Sequence, residues 1–230
     1  MSLVAPSTNK SGSLAVPLRR AASLAMVAGY VNAIGFTDLG GIFPAAMTGN
    51  TTQLGVDAAG GRWQLITMIG CTMLSFFAGG LFSSYMQRRI GKPVVELVLM
   101  AILVSTAQIV RHFSPDPLPL ELPILADAMA MQGETISRFG GTSLQTIVVT
   151  NSLLRFADFI AGRYLYHDLD SRPSLLDVSL PGSAWMAYFI GACLGALANS
   201  FLGFALVPAI LLLLLTSVDI YFSSQEIAVR

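Results

Sequence analysis

Of 230 residues, 54% are hydrophobic and only 11% charged, whereas a soluble domain carries about a quarter charged residues. The deficit excludes a fully solvated fold and reads as a multi-span membrane protein, because most of the chain has no water to face. Thirteen basic residues balance thirteen acidic ones, so no global field draws nucleic acid.

Residues 1–18 are rich in Ser, Pro and small side chains and lack the apolar core of a signal peptide. They read as a disordered cytoplasmic tail ahead of a single membrane domain over residues 19–222. A first span covers about residues 21–39, behind Arg19 and Arg20. The stretch 29–61 is mostly apolar, yet it carries Asn32, Asp38, Asn50, Gln53 and Asp57 and is interrupted by Gly40, Gly41, Pro44 and Gly49. In hydrocarbon every backbone group freed by Gly or Pro needs a partner, so broken segments survive inside protein or beside a wet cavity. Discontinuous helices of this kind mark the solute site in many carriers. The competing reading is a tight turn in which Thr48, Asn50 and Asp57 serve as caps.

A second span follows Trp63, over about residues 64–85, with Gly79-Gly80 and Ser83-Ser84 as a close-packing signature. A third covers about 94–110, and Pro115, Pro117 and Pro119 predict a loop over 111–122. The fourth, about 123–139, is unusually polar, with Asp127, Gln132, Glu134 and Arg138. Gly140-Gly141 breaks it, and a helical piece over about 142–162 follows. A polar loop over 163–181 leads to a fifth span from Trp185 to about Ser200, and a sixth covers about 206–221.

The expected fold is therefore all-α: a polytopic bundle of about six transmembrane helices, each near the 17-residue minimum or longer. The halves, about 21–112 and 120–222, share a plan of polar span, Gly-Gly break, Thr/Asn helix, Gly-rich span and plain apolar span. Three spans per half make the repeat inverted, an arrangement that sets solute sites at the repeat axis. The sequence register between the halves is loose: Thr48 aligns with Thr150, but Asn50 meets Asn151 only after a shift of one.

Charged groups within spans tend to pair or line water. Asp38 and Asp127 lack a basic partner one helical turn away and are candidates for a proton or cation site. Glu134 and Arg138 are spaced for an intrahelical pair, as are Arg155 and Asp158, while Glu96 and Asp219 lie near span ends and are set aside. Thr48, Gly49 and Asn50, opposed by Thr150, Asn151 and Ser152, offer hydroxyls and amides at two helix starts, a setting that suits an anion. The expected substrate-binding set is Asn32, Asp38, Thr48, Gly49, Asn50, Asp127, Gln132, Thr150 and Asn151. Two Thr/Asn segments placed on opposite faces without a shared cavity would argue instead for separate caps and a structural protein. Cys71 and Cys193 stand singly in apolar segments and read as buried, inert thiols, so neither a metal site nor a disulfide is expected. His112 and His167 lie outside the spans and no nucleophile elbow is present, so neither catalysis nor a cofactor is expected.

With these residues in view, a family resemblance follows. The run Gly29-Tyr-Val-Asn-Ala-Ile-Gly-Phe, then Gly41-Ile-Phe and Met47-Thr-Gly-Asn-Thr, resembles the signature of the YoaK-like membrane proteins, a domain of unknown function. Met131-Gln132, Arg138-Phe-Gly-Gly and Val149-Thr150 resemble its second signature, and the likeness covers about residues 21–221. The resemblance implies a polytopic fold and brings no substrate with it. Asn32 stands where the family usually has Asp, and Asn151 where it has Gly.

The expectation is a secondary transporter or channel for a small polar or anionic solute, with a structural, assembly or regulatory protein as the alternative. The partners expected are the lipid bilayer (taken as the plasma membrane), a small solute or ion, and a second copy of the chain. Lys10, Arg19, Arg20, Arg88, Arg89, Lys92, Arg138, Arg155, Arg163, Arg172 and Arg230 fall on one side of the spans and only Arg62 and Arg111 on the other, so both termini are expected in the cytoplasm. Cysteine-accessibility labelling checks this: cysteines placed at Ser11 and Ser171 should resist a membrane-impermeant reagent added to intact cells.

Overall fold

The computed structural model describes residues 15–136, 149–165 and 175–228. Along the chain these form α1 (Ala15–Asp38), α2 (Met47–Ala59), α3 (Trp63–Arg89), α4 (Pro93–Phe113), α5 (Leu118–Ile136), α6 (Val149–Ile160), α7 (Leu175–Phe201) and α8 (Val207–Ala228), with a π turn, Ala161–Leu165, extending α6. Among the described residues there is no strand.

Several boundaries differ from the sequence reading. The loop expected over 111–122 shrinks to four residues, because α4 continues through His112 to Phe113 and α5 starts at Leu118. Pro119 occupies the first turn of α5, where a missing N–H costs nothing. Likewise α7 begins at Leu175, ahead of Trp185, and takes Pro181 into its length. Residues 137–148 and 166–174, and with them Arg138, Gly140-Gly141 and His167, lie outside the described residues, as does the side chain of Glu134.

α1 and α5 hold the centre. Leu24, Val31 and Ile34 of α1 and Leu122, Leu125 and Met129 of α5 are inaccessible, and they cluster with Leu97, Met100 and Val104 of α4 and Leu206 and Leu213 of α8. Outward faces carry large apolar side chains, among them Leu74, Phe77 and Leu81 of α3, Ile102 and Ile109 of α4, Leu194 and Leu197 of α7, and Leu211 and Leu215 of α8. Such a surface requires lipid rather than water. Among the described residues three helices are long and apolar enough to cross a membrane, namely α3, α4 and the Ser179–Phe201 part of α7, with Val207–Ser223 of α8 a shorter apolar stretch. The buried amides Asn32 and Gln132 thus lie on the two central helices, away from lipid, as the cost of polar groups in hydrocarbon demands. Cys71 and Cys193 are exposed on these outward faces, not buried as expected, because helices that shield the core turn one apolar face outward.

Glycines set the helix contacts. A methyl group built on Gly191 or Gly195 of α7 would overlap the carbonyl oxygens of Met26 or Tyr30 of α1, and one built on Gly29 of α1 would overlap that of Tyr188. The rising register makes α1 and α7 parallel. The same holds for α3 and α5, where Gly79 abuts the backbone and carboxylate of Asp127. α5 also packs on α4, α1 on α8, α4 on α8, α2 on α3, and α6 on α7.

Gly79 and its neighbour supply a matched test. Gly79→Leu should lower detergent stability by about 3 kcal/mol or prevent assembly, because backbone lies where the side chain must go. Gly80, with nothing within 4 Å of a built Cβ, should accept Leu with little change in thermal unfolding.

Candidate functional site

The turn between α1 and α2 folds back beside α1. Gly40 and Gly41 adopt φ of 74° and 76°, which L side chains resist, and reverse the chain. Pro44 then packs against Gly35, and the rings of Phe36 and Phe43 stack 5.0 Å apart. The Ala45 N–H donates to Asn32 Oδ1 at 2.8 Å. Asn32 lies six residues before the end of α1, so the turn descends about 9 Å along the helix.

Asn50 fixes this turn from the other side. Its Oδ1 accepts from the Phe43 N–H at 2.9 Å, and its Nδ2 donates to the Phe43 carbonyl at 2.7 Å. Both halves of a fully buried amide are therefore spent on one residue's backbone, and α2 begins without a side-chain cap. The cap roles expected of Thr48 and Asn50 are not what the structure builds. Thr48 is exposed and Gly49 faces the Phe43 ring. Asp57 is buried and pairs with Arg62 at 2.6 Å, closing the turn into α3. Gln53 is half-buried.

At the end of the bundle where α1, α4 and α7 finish, Arg111 gathers three partners. It pairs with the Asp38 carboxylate, donates to Glu121 Oε1 at 3.0 Å and donates to Asn199 Oδ1 at 2.7 Å. One guanidinium thereby ties α1, α4, α5 and α7. Glu121 is wholly buried whereas Asp38 is nearly half exposed, with side-chain exposures of 0% and 47%. Asp38 was legible as an unpaired acid, but Arg111 and Glu121 were passed over as loop charges. The signal available was that both flank one short connection and must meet the end of the first span.

The opposite end carries a second charged tie. Arg20 Nε donates to Asp219 Oδ2 at 2.7 Å, and its Nη2 donates to Ser223 Oγ at 2.7 Å and the Asp219 carbonyl at 3.1 Å. Arg19 pairs with the same carboxylate. Asp219, set aside from sequence, is thus the link between α8 and α1. Glu96 is also buried rather than interfacial, and accepts from Gln87 Nε2 at 3.3 Å.

Between these ends lie the core amides. Asn32 Nδ2 donates to the Tyr188 hydroxyl at 2.9 Å, so that residue links α1, α7 and the folded turn. Gln132 of α5 is fully buried and donates to the Leu24 carbonyl of α1. Gln108 accepts from the Leu206 N–H at 2.8 Å, holding the start of α8. Gln132 Oε1, Gln108 Nε2, Ser83 Oγ and Glu121 Oε2 are buried without a hydrogen-bond partner. Asp127 is half-buried against Gly79.

The Thr/Asn segments do not meet. α2 packs on α3, at the Arg111 end, whereas α6 packs on α7 with the Phe156 ring against Gly182, at the Arg20 end. Asn151 is exposed, Ser152 is buried, and the Thr150 side chain lies outside the described residues. Among the described residues no group of three or more His, Cys, Asp or Glu is placed to hold a metal ion.

Residues 20–218 match the sequence model of a family described as "Protein of unknown function (DUF1275)". The chain is also similar to the UPF0700 transmembrane protein YoaK of Bacillus subtilis (strain 168), 27% identical over 184 residues that cover 76% of this chain and 81% of that relative. No solved structure gives a significant match.

Removing the Asn50 amide should test its assigned role. Asn50→Ala leaves the Phe43 N–H and carbonyl unpartnered in the interior and should cost about 2–3 kcal/mol of stability, more than the ~1 kcal/mol of an exposed cap. Thermal unfolding of the purified variant in detergent reads the difference.

Proposed function

The chain belongs to the YoaK-like DUF1275 family of transmembrane proteins, and from that premise we propose that it is a secondary transporter or channel for a small polar or anionic solute. On this reading the path runs between α1 and α5 past Gln132, with Asp38 at one mouth and Asp127 on the side of α5 that faces α3. The observation that carries this reading is Gln132 Oε1, a buried polar atom without a hydrogen-bond partner on the central helix α5. Such groups are tolerated at membrane depth where water or a solute visits them.

The packing supports two inverted halves, α1–α4 and α5–α8. Exchanging α1 with α5, α2 with α6, α3 with α7 and α4 with α8 turns the α1–α7 contact into α5–α3, α2–α3 into α6–α7, and α4–α5 into α8–α1. Under the same exchange the Arg111–Glu121 tie corresponds to the Asp219–Arg20 tie at the other end. A carrier that alternates access needs a closure of this sort at each face, released in turn. Segments related by an axis in the membrane plane lie on opposite faces, which is why α2 and α6 do not share a pocket. The Thr/Asn pair therefore leaves the solute site, and α1 and α5 take its place.

A structural or regulatory role is the second reading, favoured by the placement of the two Thr/Asn segments at opposite ends of the bundle and by the complete use of the Asn50 and Asn32 amides in internal bonds. Reconstituted proteoliposomes separate the two. Under inward gradients of glycerol, alanine, potassium chloride and potassium nitrate, a transporter or channel passes at least one of them faster than empty vesicles do. Gln132→Leu should then slow that flux about tenfold, the value of one hydrogen bond of 1.4 kcal/mol, while the protein still melts cooperatively. Flux equal to that of empty vesicles for all four solutes supports the structural reading.

A further inference from the structure

The α1–α8 groove at the Arg20 end holds a cavity of about 230 Å³ lined by Arg19, Arg20, Ser23, Leu212, Leu215, Thr216 and Asp219. Its polarity is graded. The mouth is charged, with Arg19 and Arg20 on α1 and Asp219 on α8. One turn deeper lie the hydroxyl residues Ser23 and Thr216, and the floor is Leu212 with Leu215 at the side. Two guanidiniums face one carboxylate, so the lining of the cavity carries a net charge of +1. The Arg20 side chain is 11% exposed and fixed against α8, whereas that of Arg19 is 63% exposed and projects at the mouth.

The depth is that of a headgroup. Arg20 stands eighteen residues before Asp38, the last residue of α1, about 27 Å along the helix and close to the ~30 Å of a hydrocarbon core, and its partner Asp219 lies near the close of the apolar stretch Val207–Ser223. Tyr221 and Phe222 follow at once and are exposed, in the manner of aromatic side chains at a membrane interface.

The geometry points to a binding site for the phosphodiester of an anionic phospholipid, with the exposed Arg19 guanidinium on the phosphate, Arg20 held beside it by Asp219 and Ser223, and an acyl chain along Leu215 and Leu212. A free phosphate ion would find the charge but has no use for a leucine floor one turn below it. A zwitterionic lipid matches the floor and brings its own cation to a mouth that is already positive. Basic pockets between spanning helices recognise anionic headgroups on this principle. The groove includes the Arg20–Asp219 tie named above as a closure, so lipid binding is read from retention and unfolding rather than from flux.

Detergent-purified protein incubated with defined lipid tests it. Native mass spectrometry should show phosphatidylglycerol retained in preference to phosphatidylcholine, and phosphatidylglycerol, but not millimolar inorganic phosphate, should raise the unfolding temperature. Arg19→Gln should cut phosphatidylglycerol retention about fivefold, the contribution of one basic residue near an anionic surface. Leu215→Gln, an exposed position, should weaken retention with the charges intact. Equal retention of the two lipids, or no effect of Arg19→Gln, overturns the site. Protection by inorganic phosphate equal to that by phosphatidylglycerol overturns the lipid assignment in favour of a free anion.

Discussion

The structure depends on the backbone contact between α1 and α7. α1 carries Asn32 and ends at Asp38, so it must be kept from lipid, and the shield must lie close enough to leave no gap. Gly191 and Gly195 bring α7 against the carbonyls of Met26 and Tyr30, and Gly29 returns the contact. Close approach of this kind supplies many weak attractions where lipid gives no hydrophobic drive between helices. It also sets the Tyr188 hydroxyl within reach of Asn32, so the packing and the polar bonding of α1 share one geometry.

Once α1 is fixed, the rest of the Arg111 end follows. The folded turn needs Asn32 and Asn50 at a set distance, and Tyr30 donates through its hydroxyl to the Ala205 carbonyl at 2.5 Å, just ahead of α8. Arg111 then binds α1, α5 and α7 to the end of α4. Glu121 is tolerated in the interior because that guanidinium lies beside it; removing one partner of a buried pair is far more costly than never having built it.

Much of the fold was legible because composition and punctuation act locally. The charge deficit, the Gly-Gly breaks and the small-residue pattern gave the helical class, the turn at Gly40-Gly41 and the contact faces of Gly79 and Gly191. The prolines misled: Pro119 sits in the first turn of α5, where no N–H is needed, and α7 runs through Pro181 although that residue lies inside the helix. The candidate residues were legible as types rather than as partners. Asn50 was visible as an unusual amide, yet its use on Phe43 depends on a chain reversal that spacing alone does not give. Arg111 and Glu121 fell within the expected loop, and Arg20 and Asp219 were read as charges at span ends, because nothing local to Arg20 names a partner about 200 residues away.

The two charged ties are unequal in sign. Arg111 answers to two carboxylates, Asp38 and Glu121, whereas Arg19 and Arg20 share the one carboxylate of Asp219. Formal charges therefore leave an excess of one negative at the first cluster and one positive at the second. The bundle is electrically polar along its length, and an ion meets an opposite local field at either end of the helices.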